Sequence, residues 1–307
     1  MPKWAKVGLL GFPKTGKTYT AINLAVGLRE RIGSKQPLKL FDTEGGFQYQ
    51  LPRIVKLTGV EPVGFLSHSF ADLCTFTGNC KAGDIVIIDS VTHPWRELLA
   101  AHQSKVKGLR GIMFAKQEWS ERFTAWYLGS PIHVIICGRA GYEFDTEENE
   151  DGSKELVKTG TKMKTEGELG FEPSLLVEML RVEKSNGALL HRAIVKGDRF
   201  GVIDGKSYDQ PTYKDFAPHF DLLDLGPGTG QLIDVAAKTQ VDEAGNTEFK
   251  AAMLEREVLC EELQNELVKR WPSTGGEHKK AKLLVLEQAI GTSSWSKIEK
   301  DWRAIPN

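Results

Sequence analysis

Short runs of apolar and β-branched residues alternate along this chain with longer stretches of mixed character. The runs include Val7-Gly8-Leu9-Leu10, Pro37-Leu-Lys-Leu-Phe41, Asp84-Ile-Val-Ile-Ile-Asp89 and Pro131-Ile-His-Val-Ile-Ile-Cys137. Runs with little polar alternation are the pattern of strands buried on both faces of a parallel sheet. The stretch from Thr18 to Val26 suits a helix that follows the first strand. The pattern predicts an α/β fold with a mainly parallel sheet.

The character changes at Leu222-Leu-Asp-Leu-Gly-Pro-Gly-Thr-Gly230, whose Gly/Pro punctuation marks a domain boundary. We place a core at 1–225 and a small helical extension at 226–307. In the extension, Leu259, Leu263, Leu267 and Trp271 recur at i, i+4 across 247–271, with Thr247 as N-cap and Pro272–Gly276 as terminator. A second helix carries Leu283, Leu284, Leu286 and Ile290 as its apolar positions, and a third spans Ser294–Arg303.

The sharpest chemical signal sits between the first strand and the first helix. Gly11-Phe12-Pro13-Lys14-Thr15-Gly16-Lys17-Thr18, followed by Tyr19, fills the phosphate-loop pattern G-x-x-x-x-G-K-[ST] without a mismatch. Such a loop turns backbone N–H groups and a helix N-terminus onto a polyphosphate. Its lysine, Lys17, reaches the β/γ-phosphates, and the Thr18 hydroxyl is placed to ligate Mg²⁺.

Two acidic strand ends follow. Asp89-Ser90 closes the most β-branched run, the form in which Asp89 holds Mg²⁺ beside Thr18. Asp42-Thr43-Glu44-Gly45 closes another and admits two readings: the D-x-x-G element of a GTPase, or Glu44 aimed at the water that attacks the γ-phosphate. No asparagine is followed by lysine, so the N-K-x-D element that reads guanine is missing. That favours ATP. Arg139, just past the fourth strand, is the natural γ-phosphate sensor.

Composition changes this picture little. With 307 residues, 26% charged and a formal net charge of −1, the chain has no global basic excess, so nucleic-acid contact must come from local patches. Four cysteines point to reduced thiols in a cytoplasm-like compartment, and no apolar run approaches a membrane span. His68, Cys74 and Cys80 offer three zinc donors but no paired C-x-x-C.

The order of phosphate loop, D-x-E and a strand ending Asp-Ser resembles the RecA-like ATPase core over about the first 210 residues. The resemblance implies Glu44 as catalytic base and Asp89 as the Walker B acid. The wording of the phosphate loop and of Asp42-Thr-Glu-Gly-Gly46 looks closer still to phage-encoded RecA-like proteins that serve single-strand annealing recombination. That implies action in a bacterial host cytoplasm, single-stranded DNA as partner, an annealing or single-strand binding protein beside it, and a homo-oligomer. Val195-Lys196-Gly197-Asp198-Arg199-Phe200-Gly201 looks like the K-N-R-F-G element of RadA- and DnaB-type ATPases. There the lysine and arginine reach a neighbour's γ-phosphate; here one extra residue separates Lys196 from Arg199. Lys162 and Lys164 resemble paired lysines that serve the same end. Either pair would act as an arginine-finger equivalent, on the order of 10³–10⁵ in rate.

DNA contact is expected from a flexible stretch carrying Lys105, Lys107, Arg110 and Lys116, broken by Gly108 and Gly111, and from the lysine-bearing return arm of a hairpin at 142–165. The spacing of Trp119 and Trp126 favours burial over base stacking. The expected activity is ATP hydrolysis with Mg²⁺, stimulated by DNA. Three alternatives stand beside it: a GTPase, a small-molecule kinase, and an ATP-gated binding module with little turnover.

Overall fold

A computed structural model describes residues 4–148, 154–224, 259–260, 262–272 and 275–300. The chain divides into two compact units, Met1–Thr229 and Gly230–Asn307.

In the first unit, nine strands among the described residues form one mixed sheet. They are β1 (Lys6–Gly11), β2 (Lys39–Asp42), β3 (Val63–Leu66), β4 (Ile85–Asp89), β5 (His133–Glu148), β6 (Lys154–Met163), β7 (Leu175–Glu183), β8 (Leu189–Asp198) and β9 (Ser207–Asp209). The order is β3-β2-β4-β5-β1-β7-β8-β9, with β6 paired to β5. Every pairing from β3 to β7 along this order is parallel, while β7–β8, β8–β9 and β5–β6 are antiparallel. The fold is thus α/β with a mostly parallel sheet.

Side chains on the central strands alternate between two cores because successive residues point to opposite faces. Val7, Leu9, Ile85, Ile87, Ile135 and Cys137 pack on one face with α1 (Lys17–Arg31) and α7 (Tyr213–Asp221). Leu10, Val86, Ile88, Val134 and Ile136 pack on the other with α3 (Phe70–Gly78), α4 (Thr92–Lys105) and α5 (Leu109–Trp119). Both faces are covered, which explains why these strands read as unbroken apolar runs.

The stretch expected to be a flexible basic loop is mostly helix. Lys105 ends α4, Arg110 and Lys116 lie on α5, and the helical run continues through Ser120–Thr124 into α6 (Ala125–Gly129). Gly111 is a packing residue there: a Cβ would fall 2.1 Å from the Val106 carbonyl oxygen. Trp119 is fully buried, as its spacing predicts, and Trp126 packs against the same core.

In the second unit, helix covers 262–270, Gly276–Ile290 and Trp295–Lys300. Leu286 and Ile298 are buried there, with Leu263, Leu267, Ile290 and Trp295 packed against them. Leu283 and Leu284, expected among the apolar positions of this helix, are exposed. Thr247 and the first turns of the expected 247–271 helix lie outside the described residues, as does the 301–303 end of the third helix.

Candidate functional site

The loop between β1 and α1 is shaped by its own glycines. A Cβ at Gly11 would lie 2.5 Å from Thr15 Oγ1 and 2.6 Å from the Met179 carbonyl oxygen, so β7 leaves no room for a side chain. Gly16 takes φ +91°, which glycine adopts at no steric cost. Thr15 Oγ1 donates to the Phe12 carbonyl at 2.8 Å, and the Lys17 ammonium donates to the carbonyls of Gly11 and Phe12, both at 2.9 Å. No side chain caps the α1 N-terminus. The loop therefore wraps the lysine and offers its amides and the helix end to an anion.

Strand register brings the other groups to this edge. Asp42 pairs with Asp89, Asp89 with Cys137 and Gly11 with Arg139, so the carboxyl ends of β2, β4 and β1 line up beside the Cys137–Arg139 part of β5, which runs on into the hairpin with β6. In open parallel sheets, ligands bind along that line. Thr18 Oγ1 donates to Asp89 Oδ2 at 2.5 Å, although 71 residues separate them. Burial pushes the Asp89 carboxyl up to about 6, against the opposing pull of the Thr18 hydrogen bond and the Lys17 charge. A hydroxyl and a carboxylate in contact are hard oxygen donors, a pair that fits Mg²⁺.

The Asp42–Gly45 turn resolves into two roles. Asp42 Oδ1 accepts from the Glu44 N–H and Oδ2 from the Phe47 N–H, both at 2.9 Å. Its carboxylate is thus occupied in building the turn that presents Glu44. The Glu44 side chain meets Arg139, whose Nε and Nη2 donate to Oε1 at 3.0 and 2.9 Å.

Several contributing residues escaped the sequence reading. Thr43 Oγ1 accepts from the Ser90 N–H at 2.8 Å and lies 2.6 Å from His93 Nδ1, tying the β2 and β4 ends together. Thr92 Oγ1 accepts from the Arg139 N–H at 3.0 Å. Burial, then the nearby Arg139 charge, holds His93 below its ordinary value. Beside Tyr19, the Arg53 guanidinium stands 4.0 Å over the ring and makes a flat, polar-edged platform next to the loop. The hydroxyls just past two acidic strand ends were the available signal.

Lys196 and Arg199 sit where the β7–β8 ladder slips. Leu176 pairs with Gly197 and Val177 with Val195, which leaves Lys196 as the bulged residue. Lys196 pairs with Glu178 at 3.7 Å and Arg199 with Glu172 at 3.7 Å. Both line one cleft with Lys162 and Lys164, on the face of the sheet that carries α4. Lys105, Lys107 and Arg110 lie outside its lining.

His68, Cys74 and Cys80 do not form a metal centre: no group of three or more such donors converges among the described residues. Cys80 Sγ instead donates to the Phe76 carbonyl at 3.3 Å. Nor is any described helix long and apolar enough to cross a membrane. No protein-family model matches the chain, and no curated protein matches it significantly.

Proposed function

We propose that this chain is an ATPase of the RecA-like kind that acts on single-stranded DNA as an oligomer. The observation that carries the reading is the contact of Thr18 with Asp89 beneath a phosphate loop wrapped on Lys17. The sheet order supports it further: β5 intervenes between the phosphate-loop strand β1 and the acid strand β4, and Glu44 rises from the next strand over.

In this mechanism Lys17 and the loop amides neutralise charge that develops on the β/γ-phosphates. Thr18 and Asp89 would hold Mg²⁺, which would supply further charge neutralisation when bound. Glu44, freed from Arg139, orients the attacking water and takes its proton as the new oxygen–phosphorus bond forms and ADP leaves. Arg139 then answers to the γ-phosphate. The Arg53 guanidinium over the Tyr19 ring offers a flat face on which an adenine base would stack. Positioning and electrostatics are nearly all such a site supplies.

The test is ATP hydrolysis by the purified chain with and without single-stranded DNA, beside Lys17→Ala. DNA-stimulated turnover lost in the variant is the expected result; turnover indifferent to DNA overturns the recombination reading.

One observation favours a second reading. The Glu44–Arg139 pair occupies the base, as an ATP-gated binding module with little turnover would require. Hydrolysis near background, with nucleotide-dependent DNA binding intact, selects that reading.

A further inference from the structure

The cleft flanked by α4, the root of the β5–β6 hairpin and the β7–β8 bulge has a volume of about 920 Å³, within the range of small-molecule sites. Leu10, Leu99, Met163 and Leu176 give it an apolar floor, and Trp95, Tyr142 and Phe171 give it aromatic walls. Its rim is cationic. Lys162, Lys196 and Arg199 each have a carboxylate at 3.5–3.7 Å. Arg96 and Lys164, both exposed, have no partner among the described residues.

The acids that face the cleft are already committed. Glu143 pairs with Lys162. Asp198 accepts from the N–H groups of Phe200 and Ile203 and meets His219 Nδ1 at 2.7 Å. Asp204 accepts from the Asp198 N–H. Among the described residues, Arg96 and Lys164 are therefore the rim cations that have no carboxylate beside them.

We infer that this cleft is a second nucleotide-class site, for a nucleoside phosphate whose base lies on the apolar floor. An acyl chain would satisfy the floor but make no use of the flat, exposed Phe171 ring at the wall. A nucleobase brings both a flat apolar face and a hydrogen-bonding edge, and its phosphate meets Arg96 and Lys164 at the rim. The site is also wired to the phosphate loop. Tyr142 lines the cleft and packs on Phe12 with ring centroids 5.0 Å apart, and Leu10 immediately precedes Gly11. The ligand is either a free mononucleotide or one unit of a single strand. The assignment deepens the DNA reading above and rests on it only for that second source.

The experiment titrates the full Lys17→Ala chain, whose phosphate loop is disabled, with thymidine 5′-monophosphate and with a short oligothymidylate. The same titrations follow in Lys17→Ala carrying Arg96→Glu with Lys164→Glu, and in Lys17→Ala carrying Leu99→Trp, which fills the floor. Binding that persists in Lys17→Ala and weakens at least about tenfold in both further variants supports the site. Mononucleotide binding identifies the free ligand as its source, and oligonucleotide binding alone identifies a strand. No binding of either probe, or binding untouched by the cleft variants, overturns it. ATP binding and turnover of the wild-type chain are read separately, so their failure would remove the ATPase reading and leave this site standing. Thermal melts check that the variants are folded.

Discussion

Arg139, which lies within β5 rather than just past its end, places two donors, Nε and Nη2, on a single oxygen of Glu44 and joins the middle of that strand to the β2 turn across the nucleotide edge. Both side chains are about two-fifths exposed, at 40% and 44%. Such a pair contributes only about 0.2–1 kcal/mol. It is cheap to open, as a contact must be if a phosphate is to replace one partner.

Arg139→Ala is accordingly expected to lower the melting temperature by no more than about 4 °C. Its functional effect falls on coupling: the ratio of hydrolysis with DNA to hydrolysis without it should drop toward one. A steady-state assay at saturating ATP checks this. An unchanged ratio would take Arg139 out of the coupling.

Glu44→Gln keeps a hydrogen-bonding group opposite Arg139 but removes the base. The expected loss in kcat is about 10²–10⁴-fold, with nucleotide binding retained. Isothermal titration with ATP, run beside a phosphate-release assay, separates the two effects. Turnover at the wild-type rate would exclude Glu44 as base.

Asp89→Asn tests the opposition between stability and function. Burial disfavours the Asp89 charge, as its value of about 6 records. A neutral amide keeps an acceptor for Thr18 without that cost, so the melting temperature should hold or rise by a few degrees. Mg²⁺-dependent nucleotide binding should fall. A variant that melts far below wild type would show that the Asp89 charge itself is structural.

Acid sensitivity is expected from the buried Ser174–His219–Asp198 chain, in which Ser174 Oγ lies 3.1 Å from His219 Nε2 and His219 Nδ1 2.7 Å from Asp198 Oδ1. Burial holds His219 below its ordinary value, outweighing the pull of Asp198. For Asp198, burial acts upward but is outweighed by hydrogen bonds from the Ile203 N–H, His219 and the Phe200 N–H, so its carboxyl is held low. Both groups bind protons more readily in the unfolded chain. Their stabilisation is therefore full above the unfolded histidine value of about 6.5 and is lost as pH falls through the depressed folded values. Thermal melts from neutral to acidic pH should show a decline that is shallower in His219→Gln. Identical slopes would refute this assignment.

Gly11→Ala should be among the most damaging single-methyl changes in the first unit. Its Cβ would meet Met179 backbone and Thr15 at under 3 Å. A cost of about 1–3 kcal/mol is expected from overpacking, measurable by denaturant unfolding. A variant as stable as wild type would mean that β7 yields there.

The sequence by itself determined the parts whose chemistry is local. The phosphate loop is legible because its backbone needs glycine where φ is +91° at Gly16 and where β7 presses on Gly11. Strands β1, β2, β4 and β5 are legible because burial on both faces demands unbroken apolar runs. Asp89 was marked by its place at the end of one, and Thr18 by its place in the loop.

Tertiary structure decided what depends on register between distant segments. Nothing near Glu44 announces that Arg139, 95 residues on, will neutralise it. The lysines at 162, 164 and 196 and Arg199 are separate motifs in the chain, yet the hairpin and the β8 bulge carry them to one cleft. Gly108 and Gly111 read as loop, but Gly111 is there so that α5 can close against Val106. A glycine's reason lies in its neighbour, and an ion pair's in a turn and a strand that meet; neither is written in the spacing of residues along one segment.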